Sequence, residues 1–376
     1  MALMRPSLIS LDEALAILAE AIPAPVQGPV RADRDDPALD RSTMDGAAVR
    51  SEDGLAPRRI LGTLFAGDDP AGWQVESGTC MRIMTGAVLP AGANAVVPVE
   101  QLREVDGCLL PELEPQAGAY IRRRGSQARL GDLLLPEGIP LNATRLGLRA
   151  QVGEPLRPCQ RIQVGVAPTG DELVLAPKPH QIRDSNGPML AALAHALGAE
   201  VRSLPAVPDD PKAIGRFLQD LGSTQVLLTA GGVSMGERDF LPQVLEQLGA
   251  HILFHRIRLK PGKPMLAALL DGRVILCLPG NPVSAYLNSL LFLPVVLARL
   301  EGHSLPIPWR TGRLAAQVPN PGDRPLLHPC KRRGNELEPL SSRGSADLVR
   351  LAQADVCAWI PEGGMEAGET RYLELL

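Results

Sequence analysis

Between residues 226 and 285, three apolar runs each end in a loop whose residue types suit an anion. Val226-Leu227-Leu228-Thr229 leads into Ala230-Gly231-Gly232-Val233-Ser234-Met235-Gly236-Glu237-Arg238-Asp239. Ile257-Arg258-Leu259 leads into Lys260-Pro261-Gly262-Lys263-Pro264. Val274-Ile275-Leu276-Cys277-Leu278 leads into Pro279-Gly280-Asn281-Pro282-Val283-Ser284. The first and third loops each open a predicted helix. A glycine-rich turn there exposes backbone N–H groups at the positive end of the helix dipole, where an anion is stabilised. The middle loop adds two lysines around a Pro-Gly turn. A single turn of this kind is only a sharp corner. Three in one short stretch, with lysines among them, predict an anion pocket at the carboxyl edge of a sheet.

Carboxylates are expected at the same edge. Thr169-Gly170-Asp171-Glu172 follows the first strand of this region, Asp209-Asp210 follows the second, and Asp239 ends the first glycine-rich loop. Glu172, Asp209 and Asp239 can therefore converge. Carboxylates beside phosphate-binding loops suit Mg²⁺, a hard ion that takes oxygen ligands and commonly shares them with substrate phosphates. Helix capping is the alternative, by Asp209 or Asp210 for a helix starting at Pro211 and by Asp239 for one starting at Phe240. Ser284 has no adjacent base, so it is not read as a nucleophile. His251 and His255 fall in a predicted strand without a third ligand and read as structural. The six cysteines form no CxxC pair, and Cys277, inside an apolar strand, reads as a buried free thiol.

Holding these loops takes an alternation of strands and helices. Strands are predicted at 162–167, 200–207, 226–229, 251–259, 264–270 and 273–278. Helices are predicted through Met189, Leu190, Leu193 and Leu197, over 211–221 and 240–248, and from Val283 onward. That order implies a three-layer α/β/α domain with a mainly parallel sheet, ligands binding beyond the carboxyl ends of its strands. Upstream, Ser10 and Glu13 form a capping box for a helix carrying Leu11, Leu15 and Leu18. Residues 29–46 are polar and read as a loop leading to Thr43-Met44-Asp45-Gly46. Residues 58–126 are β-rich and close in Arg122-Arg123-Arg124. Asn142 caps a helix over 143–150, which is expected to pack with the first helix. Residues 304–376 are β-rich again, with Ser345 as the expected N-cap of a short helix. The expected division is multidomain α/β: a discontinuous small α/β linker domain (1–50 and 127–158), a β-rich inserted domain (51–126), the α/β domain (159–303) and a C-terminal β-barrel domain (304–376).

Composition narrows the class. Apolar residues make up 45% and charged residues 21% of the 376 positions, as in soluble globular proteins. A net charge of −4 and 3% aromatics argue against nucleic acid. No signal-like apolar core is evident near the N-terminus, and the longest apolar stretch, 290–298, is too short to span a bilayer. A cytoplasmic location without membrane contact is the expectation.

Seven motifs occur in order: Ser42-Thr43-Met44-Asp45-Gly46, Arg82-Ile83-Met84-Thr85-Gly86-Ala87, Thr169-Gly170-Asp171-Glu172-Leu173, Asp184-Ser185-Asn186, Gly231-Gly232-Val233-Ser234, the Lys260–Pro264 loop and Leu278-Pro279-Gly280-Asn281-Pro282-Val283-Ser284. Together they make the chain resemble the molybdopterin molybdenumtransferases, the family that includes the E domain of gephyrin. The resemblance runs from about residue 8 to the C-terminus. It implies a homodimer of four-domain subunits that inserts molybdate into adenylylated molybdopterin, with Mg²⁺-dependent loss of AMP, to give molybdenum cofactor. It implies that Asp45 and Thr85 face the partner's pocket, and that Glu172, Asp209 and Asp239 line the pterin, phosphate and Mg²⁺ site. Lys260 would hold molybdate or phosphate. Lys263, Gly231, Gly232 and Gly280 would shape the anion site, with Ser234, Asn281, Pro282 and Ser284 in the same loops. Arg256 sits where the family carries a basic residue, and Ser345 matches a Gly-Ser element. The preceding adenylyltransferase and recipient molybdoenzymes are the further partners it points to.

Three positions depart from the family's pattern. Gly125-Ser126-Gln127 stands where Gly-Glu-Asp is usual, Ala47 where tyrosine follows Met-Asp-Gly, and Ala230 where serine precedes the glycine pair. The first removes two carboxylates, and glutamine brings no charge to a metal site. A pterin-binding paralogue that does not catalyse insertion is therefore the second reading. A third is the adenylyltransferase itself, against which the N-terminal motifs and the C-terminal region count. No residue discriminates molybdate from tungstate.

Overall fold

Val164, Val166, Val226, Leu228, Val274 and Leu276 alternate with neighbours that are buried as deeply, so their strands need cover on both faces. The computed structural model describes residues 8–25, 28–139, 141–154, 161–233, 239–302 and 306–376. It places these residues in the middle of a six-stranded sheet. The strand order is Glu200–Ser203, Gln163–Pro168, Val226–Ala230, Arg273–Leu278, Leu266–Leu270, His251–His255. The first four strands are parallel, as expected; Leu266–Leu270 runs opposite to them, and His251–His255, antiparallel to it, points the same way as the first four. Antiparallel pairing follows from the connection: Asp271-Gly272, both at positive φ, join neighbouring strands in a tight turn too short for a crossover. Alternate strand residues feed two separate cores. Val164, Val226 and Leu276 pack with helices Asn186–Ala196 and Pro282–Leu300, whereas Leu227, Ile275 and Cys277 pack with helices Pro211–Gln219 and Leu241–Gln247. The helix Pro282–Leu300 is long and apolar enough to cross a bilayer, but most of its surface is buried inside the fold, which is the place of a core helix.

The chain divides into two compact units, Met1–Pro25 with Arg157–Leu376, and Val26–Leu156. The helix Leu11–Ala21 starts with the expected capping box. Its packing corrects the expectation. Leu11, Ala14 and Leu18 join the sheet's core, and Arg299 Nε donates to Ile22 O at 2.9 Å. In the helix Ala143–Gln151 only Arg149 is buried, paired with Glu154 and the carbonyl of Gly28.

In the first unit, strands Arg310–Leu314, Glu336–Pro339, Leu326–Arg333, Val356–Ile360 and Gly368–Glu374 close into a barrel around Leu314, Cys330, Leu337 and Ile360. Its short helix, Leu348–Gln353, is capped by Asp347 and not by Ser345 as expected, because Asp347 accepts from Arg350 N. The second unit holds a six-stranded sheet over residues 46–111 and two short ribbons. The polar stretch 29–46, expected as a loop, supplies strands Val30–Arg31 and Arg41–Ser42 to those ribbons. Their partners lie far along the chain at Leu133–Leu135 and Ile121–Arg122. The expected boundaries at 158/159 and 303/304 lie outside the described residues.

Candidate functional site

From strand Gln163–Pro168 the chain passes to Glu200–Ser203 on one side and then crosses to Val226–Ala230 on the other. Loops leaving the carboxyl ends of these strands part in opposite directions and open a crevice. Thr169 N donates to Ala230 O at 2.9 Å and Gly231 N to Leu278 O at 3.0 Å, so three loops are locked edge to edge. The crevice has a volume of about 480 Å³. Its lining includes Thr169, Glu172, Asp184, Asn186, Asp209, Gly231, Gly232, Asp239, Gly280, Asn281 and Pro282.

One of the capping alternatives resolves in favour of the crevice. Asp210 caps helix Pro211–Gln219, its Oδ2 accepting from Ala213 N at 2.7 Å, which leaves Asp209 to the cleft. The N-cap of the helix Leu241–Gln247 is Phe240, and Asp239 just before it lines the crevice. Glu172, Asp209 and Asp239 thus line one cleft, although among the described residues no three His, Cys, Asp or Glu side chains stand close enough to cage a metal. Burial raises Asp209 above the ordinary carboxylate value, and the charges of Asp171, Glu172 and Asp239 add to it, against a backbone hydrogen bond from Asp171. The sign of the effect on stability follows. A carboxyl with a raised folded pKa binds protons more readily folded than unfolded, so its ionisation costs stability above that pKa and the cost vanishes at lower pH. Asp209→Asn is therefore expected to raise the thermal midpoint at pH 7 by about 1 °C. The gain should disappear below the ordinary aspartate range, as thermal unfolding across pH 3–8 will show.

The single anion pocket expected from the sequence is two adjoining clefts. The lysine loop lines the second, of about 910 Å³, which faces the barrel; Pro264, Pro279 and Asn281 belong to both. Long-range backbone bonds aim the loop there: Lys260 N donates to Pro325 O at 2.9 Å and Leu327 N to Lys260 O at 2.8 Å. Lys260, Lys263, Arg324 and His328 line this cleft with Ser284, Ser341, Ser342 and Ser345, and among the described residues its lining contains no carboxylate. Ser345 reaches it without capping a helix. Its Oγ accepts from Asn281 Nδ2 at 2.9 Å, and its carbonyl accepts from Val283 N at 3.1 Å. Positive charge and hydroxyls on one side of the shared rim, carboxylates on the other, let an oxyanion and a divalent cation sit side by side without sharing a pocket.

Asp45 and Thr85 lie in the second unit and hold each other. Asp45 Oδ1 accepts from Thr85 N at 2.6 Å and from Thr85 Oγ1 at 2.7 Å, and these bonds keep the Asp45 carboxyl below its ordinary value. Gln127 lines a small cavity with Asp33 and Asp36. The neighbouring Arg123 and Arg124 are paired with Asp40 and Asp35. Arg256 sits at φ 89° and lines neither of the two clefts. Ser234 lies outside the described residues. Two cleft residues had no role assigned from sequence. Asn186 donates from Nδ2 to Gly280 O at 2.8 Å, and Asp184 Oδ1 accepts from Gly187 N at 2.9 Å. The Asp184-Ser185-Asn186 motif was their signal.

Two described families match the sequence. Residues 5–153 match the MoeA N-terminal region (domain I and II), and residues 165–298 match a probable molybdopterin binding domain. The chain is similar to the molybdopterin molybdenumtransferase of Synechococcus elongatus, 38% identical over 70% of each chain. It is also similar to that of Synechocystis sp., 31% identical over 90% of this chain and 89% of the relative. Among solved structures, the molybdopterin biosynthesis MoeA protein of Pyrococcus horikoshii superposes with a TM-score of 0.73 at 26% identity, covering 98% of this chain and 99% of its own.

Proposed function

The chain belongs to the molybdopterin molybdenumtransferase family, transferases of molybdenum cofactor biosynthesis, and from that premise we propose that it inserts molybdate into adenylylated molybdopterin with release of AMP. The observation that carries this reading is the pairing of a lysine- and arginine-lined cleft, without carboxylates among the described residues, with a carboxylate-lined one across a common rim. Lys260 and Lys263 offer ammonium donors and Ser284 and Ser345 hydroxyls to an oxyanion, here molybdate. In the turns at Gly231-Gly232 and Gly280, where Gly231 N is held by Leu278 O, the Gly232 and Gly280 N–H groups are the ones assigned to phosphate. Glu172, Asp209 and Asp239 suit Mg²⁺, which is held by one or two carboxylates together with substrate phosphates and does not need a cage. When bound there, Mg²⁺ would neutralise charge on the phosphates as AMP departs. Asp45, fixed by Thr85, is assigned to the clefts of a second copy in a homodimer, and the cytoplasm is the proposed location.

The test is to titrate the protein with adenylylated molybdopterin and Mg²⁺, then add molybdate and follow AMP. Release that saturates with molybdate supports the reading. Tight binding with no release sinks it in favour of a non-catalytic pterin-binding paralogue, and AMP transfer from ATP to free molybdopterin points to an adenylyltransferase. The paralogue reading rests on Ser126-Gln127. Gln127→Asp is expected to raise the rate of AMP release in the same assay; an unchanged or lower rate shows that the missing carboxylate is compensated or repelled by Asp33 and Asp36.

A further inference from the structure

The helix Pro282–Leu300 is apolar and almost wholly buried, yet it carries Asn288 at 0% exposure. A buried amide costs free energy unless its groups are paired. Asn288 meets half of that demand: Nδ2 donates to Gly262 O at 3.0 Å, while Oδ1 has no hydrogen-bond partner. Packing alone would favour leucine at this position, so the amide has another purpose. Its target is the tip of the lysine loop, between Lys260 and Lys263. The base of that loop is held elsewhere, by Lys260 N to Pro325 O and by Ile257 N to Lys263 O at 3.0 Å. At the tip, among the described residues, Asn288 supplies the side-chain anchor. The fit is close on both sides. Gly262 has φ +113°, and a Cβ there would lie 2.5 Å from Asn288 Oδ1 and 3.0 Å from its Cγ.

We infer that Asn288 is a positioning residue: by clamping Gly262 it fixes the loop that aims Lys260 and Lys263 into the cationic cleft, and so sets the affinity for molybdate. The inference deepens the proposed function and rests on the reading of that cleft as the molybdate subsite. Asn288 does not line either cleft, so it acts through the loop. Removing it leaves the Gly262 carbonyl unpaired and frees the tip.

Steady-state AMP release, measured against molybdate and separately against adenylylated molybdopterin, tests this on the full chain. Asn288→Ala is expected to raise KM for molybdate about tenfold, the loss of one charge-orienting hydrogen bond, with KM for the pterin substrate within about twofold. If that variant does not fold, Asn288→Ser, whose hydroxyl can bond within its own helix, removes the same clamp. In a Lys260→Ala background the further effect of the Asn288 change should be small, because both act at one site. A molybdate KM unchanged from wild type despite lowered thermal stability overturns the inference, as does a full penalty in the Lys260→Ala background. Absence of saturable molybdate dependence in the wild type is a different result, and removes the proposed function itself along with it.

Discussion

Gly231→Ala is expected to cost about 1–3 kcal/mol of stability from backbone strain alone and to lower kcat/KM by roughly 100-fold or more through displacement of an anion-binding turn. The residue sits at φ +112°, outside the conformations that alanine adopts readily, and an added Cβ would lie 2.5 Å from Thr169 Oγ1 and 2.7 Å from the Thr169 carbonyl oxygen. The hydroxyl can rotate away, but the carbonyl cannot. It belongs to a backbone tied by Thr169 N to Ala230 O at 2.9 Å. Thr169→Ala in the same chain should therefore fail to rescue the variant, and rescue would show that the obstruction is the side chain and not the locked edge. Gly280 is the control. It has no positive φ, and a Cβ there would meet nothing nearer than the Gly231 Cα at 3.7 Å, so Gly280→Ala should melt like the wild type. Thermal unfolding with steady-state kinetics on the variants separates these outcomes.

Lys260→Ala should raise KM for molybdate by about 10- to 100-fold, the range of a hydrogen bond to a charged group lost from a partly enclosed site. KM for adenylylated molybdopterin should change little, because its phosphates are assigned to the glycine turns of the other cleft. Lys263 is exposed where Lys260 is half-buried, so Lys263→Ala should have a smaller effect that fades as salt is added. Equal losses for both substrates in Lys260→Ala would mean that the two clefts do not divide the substrates between them.

What could be read in advance follows from the range of the interactions. Strands around Val164, Val226 and Val274 were legible because each is a short run of buried aliphatic residues, and their alternation with helices implied parallel order. The carboxyl-edge placement of Glu172, Asp209 and Asp239 came with that order. The capping box at Ser10 and Glu13 is local and appeared as expected. The partition of the site did not. Lys260 is turned to the barrel by Pro325 and Leu327, and Ser345 reaches Asn281 from the far end of the chain; neither bond has a local signature. The same holds for the short strands at Val30–Arg31 and Arg41–Ser42, whose polar composition reads as loop until their distant partners are in place. The first helix shows the limit of reasoning from amphipathicity, which gives an apolar face but not the surface that receives it. That surface is the core shared with the helix Pro282–Leu300.

The central claim is that this chain moves molybdenum onto a pterin. Its most direct test supplies the purified protein with adenylylated molybdopterin, Mg²⁺ and molybdate, and then adds a molybdoenzyme lacking its cofactor. The account predicts that the acceptor gains activity in step with AMP release, and that both depend on Lys260. Acceptor activation no faster than in the absence of the chain would contradict it.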